Sequence, residues 1–344
     1  MSGEAVSAGV PHEEGRHGPQ WRLHQFLHDN PTVVPFLVLA LSVALFSAVV
    51  GRRFFHPFNL TLVLQQVTII AIIGTAQTLV ILTKGIDLSV GAIMVLASVV
   101  MGRLAVHVGL PVEVAFAAGL LVGIACGAVN GLLVTALRLP PFIVTLGTWS
   151  IFGALNLWYS NSETIRQQEV EAAAPFLQWL GTALRFGGAR LTYGSLLMLG
   201  LAALVWYLLH RTAFGRHIYA TGDDPDAARL AGIDVGRVTV AVYTIAGLIC
   251  AIGGWALIGR IGAISAISGN SANLDSITAV VIGGTSLFGG RGSIVGTLVG
   301  ALIVGTFRNG LALAGADALW QEFAIGVLIV IAVAIDQRIR EVAS

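Results

Sequence analysis

In this 344-residue chain, the side chains able to do chemistry are few, and most stand at the edges of apolar runs. The segment Thr83-Lys84-Gly85-Ile86-Asp87-Leu88-Ser89-Val90-Gly91 sets two opposite charges and two glycines between apolar stretches with almost no linker. Asp87 is placed to cap the helix that follows it, and Lys84 to neutralise that carboxylate or to reach the membrane interface. Such a segment is either a capped tight turn or a break in a helix that shapes a path through a membrane. A second segment starts at Asp224-Pro225-Asp226, where Pro225 suits a first helical turn and Asp226 its positive end. Ala227, Ala228, Leu230, Ala231 and Ile233 then give small and apolar surface around Arg229, and Gly232 stops the helix. A helix of that kind either lies at an interface or lodges in a groove on another protein.

A third group is neutral and polar. Gln77, Asn130, Thr145 and Asn156 fall on or near the ends of apolar runs, as do Asn270 and Asn273. With Asp87 and Asp275 they are the candidates for lining a path, although each taken singly reads first as an interhelical hydrogen bond. Asp275 also opens the run Leu274 to Gly290, where it is placed to cap a helix. Catalytic constellations are missing. There is no nucleophile with its base, no metal-ligand spacing and no G-x-x-x-x-G-K-[ST] phosphate loop, so neither a cofactor nor ATP hydrolysis is assigned to this chain. Cys126 and Cys250 sit inside apolar runs and read as packing residues.

The elements that position these residues follow from composition. Hydrophobic residues make up 56% and charged residues only 11%, which is wrong for a surface that faces water. With a net charge of +1 and one lysine there is no basic face for nucleic acid. An all-α, polytopic membrane protein of ten helices is predicted, spanning Thr32–Val50, Leu60–Thr83, Leu88–Val106, Val112–Leu137, Phe142–Tyr159, Leu191–Leu209, Val238–Arg260, Ser276–Phe288, Ser293–Ala312 and Trp320–Ile335. The eighth is too short for a regular span. Residues 1–31 read as a cytoplasmic tail, 32–337 as the membrane domain and 338–344 as a second cytoplasmic tail. Eleven Arg and Lys then lie inside and eight outside, a modest bias of the expected sign.

Two longer loops separate the halves. The outer one, 160–190, reads as a short amphipathic helix at the membrane surface that either docks a partner or caps the bundle. The inner one, 210–237, holds the Asp224–Ile233 helix. Glycines at four-residue spacing, Gly119, Gly123 and Gly127 or Gly292, Gly296 and Gly300, predict close helix packing. A faint echo relates Ile72-Ile73-Gly74-Thr75, Gly85 and Val90-Gly91 to Ile282-Gly283-Gly284-Thr285, Gly290 and Val295-Gly296.

Thr83 to Gly91, Pro141-Phe-Ile-Val-Thr-Leu-Gly147, Gly215 to Ile233 and Leu274 to Gly290 resemble permease subunits of ribose- and xylose-type ABC importers. The resemblance continues through Gly296 to Ile303, Asn309-Gly310 and Val330 to Asp336, in order and at family spacing. It implies a homodimeric pore in the bacterial inner membrane, a periplasmic sugar-binding protein outside and a cytoplasmic ATPase inside. It also implies that Asp224 to Ile233 is the coupling helix that engages the ATPase. One departure is Gly222-Asp223-Asp224, where members of the family commonly have Gly-Gly-Asn. An ion-coupled carrier is the alternative, and it would call for acidic or histidine relays within the spans, which hold few.

Overall fold

The computed structural model describes residues 33–186, 188–269 and 271–343. Each of the ten expected spans is a helix: α1 (Val33–Val50), α2 (Pro57–Leu82), α3 (Val90–Gly102), α4 (Val112–Ala136) and α5 (Pro141–Ser160) in the first half. In the second half they are α8 (Tyr193–Arg211), α11 (Val235–Ile261), α12 (Ala272–Ile282), α13 (Ile294–Leu313) and α14 (Ala318–Ala343). Between the halves lie α6 (Gln167–Ala173), α7 (Pro175–Gln178) and the hairpin of β1 (Ala183–Phe186) and β2 (Ala189–Thr192) at one end, and α9 (Ala213–Asp223) and α10 (Pro225–Leu230) at the other. Among the described residues eight helices are long and apolar enough to cross a membrane, whereas α12 and the apolar part of α14, Ala318–Ile331, are shorter. At about 1.5 Å per residue, α12 covers about half of a bilayer's hydrocarbon core.

Local chemistry sets the ends. Pro57 occupies the first turn of α2, where a missing N–H costs nothing, and Ser293 accepts from Gly296 N at 3.0 Å to start α13. The far end of α2 closes with Lys84 in the left-handed region and Gly85 N donating to Val80 O at 3.1 Å. α12 closes in the same way, with Gly284 left-handed and Thr285 N donating to Val280 O at 3.1 Å. The sequence echo therefore marks two alike helix ends, although Val80 and Val280 correspond rather than Ile72 and Ile282. This ending also corrects the eighth span. Gly283 to Phe288 is turn, not helix, and the helix begins earlier, at Ala272, behind Ser271. Asp275 lies inside its first turn and is not its cap. Gly292 likewise precedes α13 instead of sharing its face, and 338–343 continue α14.

The core is built on α2 and α11, which pack on each other. Ile72, Ile73, Leu79 and Cys250 are fully buried there. α11 also packs on α3 and α4, and α2 on α12 and α13. Contacts of α3 with α4 and α5 are matched by contacts of α12 with α13 and α14. The second to fifth spans and the seventh to tenth thus pack in one repeated pattern. Small residues permit the closest of these approaches: a Cβ on Gly123 would lie 2.5 Å from Gly247 O, so any side chain would part α4 from α11. Outward faces of α1, α4, α5 and α8 show Leu41, Leu121, Ile151 and Leu204, as helices that meet lipid must.

The 160–190 segment is a folded cap. Val170 and Leu177 are fully buried, Phe176 stacks on Trp255 with ring centroids 5.1 Å apart, and Ile165 and Ile264 bridge through both backbone groups.

Candidate translocation cleft and inner docking layer

The segment between α2 and α3 is braced by several of the polar residues singled out above. With its amide oriented to suit both neighbours, Gln77 donates to Asp87 O at 3.0 Å and accepts from Asp87 N at 3.2 Å. Asp87, 1% exposed, accepts from Ser89 N at 2.7 Å and Ser89 Oγ at 2.6 Å. It folds the turn back on Ser89 instead of capping the first free N–H groups of α3. Asn130 donates from α4 to Ser89 Oγ at 2.8 Å, and Thr145 from α5 to Ile86 O at 2.8 Å. Gln77, Asp87, Asn130 and Thr145 thus tie α2, α4 and α5 to the break. Lys84 does not neutralise Asp87; its Nζ donates to Asp223 O at 2.9 Å.

Two other candidates meet at a cleft of about 450 Å³ between α3, α5, residues 266–269 and Asn273. Asn156 of α5 donates to Ala266 O at 2.7 Å, and Asn273 Oδ1 accepts from Gly91 N at 2.6 Å. The starts of α3 and α12 are thereby joined where Ser150, midway along α5, also faces the cleft. Asn270 lies outside the described residues. Asp275 is directed elsewhere: Arg308 Nη2 reaches its Oδ1 at 2.7 Å and Glu322 Oε1 at 3.0 Å, tying α12, α13 and α14 together. No charged side chain lines the cleft among the described residues. Sequence reasoning missed the part played by residues 262–269, which leave α11 at the capped end and run irregularly toward the start of α12. The signal was available in the shortness of the eighth span, since a half-length helix needs a non-helical segment to reach it.

At the opposite end α9 and α10 form a layer beneath the spans. Gly222 is packed so closely that a Cβ there would overlap Leu82 O and approach Gly290 N to 2.7 Å. Gly290 N itself donates to Leu82 O at 3.1 Å, and Tyr219 Oη donates to Gly292 O at 2.9 Å. One helix end therefore touches both breaks, the one after α2 and the one after α12. α10 follows at once. Asp224 Oδ1 accepts from Asp226 N at 2.9 Å and Ala227 N at 3.1 Å, and these bonds hold its carboxyl below the usual carboxylate range. Pro225 stands in the first turn, and Gly232, at φ +85°, ends the helix with Ile233 N donating to Ala228 O at 3.0 Å. Ala228 is 4% exposed and belongs to the chain's own interior, which corrects the expectation that it offers surface to a partner. Asp226, Ala227, Arg229, Leu230 and Ala231 face outward, with Leu230 91% exposed and Arg229 paired to Asp226 at 2.6 Å.

A bundle of membrane-spanning helices with paired breaks, an uncharged cleft and an ordered layer at one end is the architecture of a multi-pass membrane permease. The chain belongs to the family described as branched-chain amino acid transport system / permease component, whose model matches residues 59–333. It is 57% identical to the fructose import permease protein of Rhizobium meliloti over 94% of this chain and 90% of that protein. It is 40% identical to the ribose import permease protein of Bacillus subtilis over 88% of this chain and 92% of that one. The D-allose transport system permease protein of Escherichia coli is 34% identical, with 88% and 91% covered. No solved structure matches the chain.

Proposed function

We propose that this chain forms the membrane passage of an ATP-driven importer for a monosaccharide in the bacterial inner membrane. A periplasmic binding protein delivers the sugar at the 160–190 end, a separate ATPase docks at the 210–237 end, two copies of the chain enclose the passage, and both termini are cytoplasmic. The observation that carries this reading is α10. One side of it is locked through Ala228 into the chain, while Leu230 stands 91% exposed on the other. An apolar side chain held rigidly in that position fits a groove on a second protein. Through Gly222 the same layer touches both helix breaks, so a displacement of the docked partner reaches the spans. The relatives named for fructose, ribose and allose support a sugar as cargo, and so does the uncharged cleft. A zwitterionic amino acid, which the family's description names, would need compensating charges in a dry site.

Reconstitution in liposomes tests the proposal. The purified chain alone should not concentrate labelled D-fructose, and adding the ATPase and binding protein encoded with it should give ATP-dependent uptake. Concentrative uptake by the chain alone under a proton or sodium gradient would replace this reading with that of an ion-coupled carrier.

A further inference from the structure

Resting on that reading, we infer that the cleft between α3, α5 and residues 266–269 is where the passing sugar is held, with Trp149 as its stacking face and Asn156 as its hydrogen-bonding side. Irregular backbone within the depth of a membrane protein is tolerated where it lines a cavity. Ala266, Ile267 and Gly269 of the irregular segment line this one. The volume of about 450 Å³ falls within the range of about 300–1,000 Å³ usual for small-molecule sites.

The wall has the chemistry of a polyol site. Trp149, 45% exposed, offers a flat ring for the C–H face of a pyranose or furanose, where contact is dispersive and indifferent to hydroxyl orientation. Ser150 supplies a hydroxyl that donates to Leu146 O at 3.4 Å and keeps its oxygen as an acceptor. Asn156 is 3% exposed; its amide nitrogen is used by Ala266 O, but its Oδ1 has no partner. A buried acceptor left unmade costs about 1–3 kcal/mol, so its retention points to a donor that arrives with the cargo. The joined starts of α3 and α12 add the positive ends of two helices, the arrangement by which discontinuous helices meet a solute. With no fixed charge in the wall, binding stays weak enough for release.

The assembled importer, with its ATPase and binding protein, is the material for the test. Wild-type uptake of labelled D-fructose, D-ribose or D-allose is established first, because the absence of all three refutes the importer reading and not this assignment. Given uptake, Trp149→Ala should lower it at least about tenfold and Trp149→Phe by no more than about twofold, since a ring is retained. Asn156→Asp should change the ratio of D-fructose to D-ribose uptake, a selectivity shift that a purely structural residue would not produce. Ala154→Cys, on the exposed wall, should react with a charged aqueous thiol reagent and be protected when loaded binding protein is added. Uptake by Trp149→Ala equal to wild type, or an Ala154→Cys thiol that never reacts because lipid or another helix fills the cleft, overturns the assignment. Where Trp149→Ala fails to co-purify with the ATPase, the labelling of Ala154→Cys alone decides.

Discussion

Gly222 shows how one missing side chain can set the behaviour of a transporter. A Cβ there would overlap Leu82 O and crowd Gly290 N, two backbone atoms already hydrogen-bonded to each other, so there is no flexible neighbour to yield. Gly222→Ala should push α9 off both breaks, lowering stability by about 1–3 kcal/mol in thermal unfolding and abolishing sugar-stimulated ATP hydrolysis. Gly147→Ala, on α5 with open space where its Cβ would go, should leave both unchanged. Close by in the chain, Asp224 makes a pH-dependent contribution. Because its folded carboxyl titrates below the ordinary value of 3.8, the stabilisation is complete above that value and fades as pH falls through the depressed one. Hydrogen exchange at Asp226 and Ala227, corrected for intrinsic rates, should accelerate in that acid window. Asp224→Asn, which caps without titrating, should remove the acceleration.

On the scale of elements, α10 separates what the sequence could say from what it could not. Its start and stop were legible, because Asp-Pro and Gly have local, backbone-level consequences that need no tertiary context. Which of its alanines faced inward was not, since one short helix with small residues on all sides has no apolar stripe to read. The same limit applies to the polar candidates. Gln77 and Asn156 look alike at span positions, yet one braces a turn and the other lines a cleft, a difference made entirely by packing partners distant in sequence. The eighth span was misplaced because an apolar run through Leu287 and Phe288 outweighed the two glycines that end α12. These placements predict opposite outcomes within α10. Leu230→Asp should keep wild-type stability while reducing co-purification of the ATPase about tenfold or more, as loss of a central apolar anchor does at interfaces. Ala228→Trp should instead destabilise the inner layer itself, seen as faster proteolysis between 210 and 237, because there is no room for the ring.

For the molecule as a whole, the repeated packing has a consequence for topology. The second to fifth and seventh to tenth spans make matching contacts, with α2 and α11 crossing between the groups, so the bundle is two similar bodies sharing one core. The proposed topology of ten crossings has the first and last ends on one side, with the inner layer of α9 and α10, and the folded cap of α6, α7 and the hairpin on the other. In that proposal the α10 side is cytoplasmic, in keeping with its weak excess of Arg and Lys. Two exposed positions allow a test independent of charge: Leu230 on α10 and Glu171 on α6. The native thiols, Cys126 and Cys250, are buried and should stay silent. In intact cells a membrane-impermeant maleimide should therefore label Glu171→Cys and not Leu230→Cys, and permeabilisation should expose the second to at least about the level of the first. Labelling of Leu230→Cys from outside would invert the bundle and put α10 in the periplasm, where no ATPase can reach it; labelling of both from outside would show that the crossings between residues 171 and 230 number two or none, not the single crossing by α8 described above.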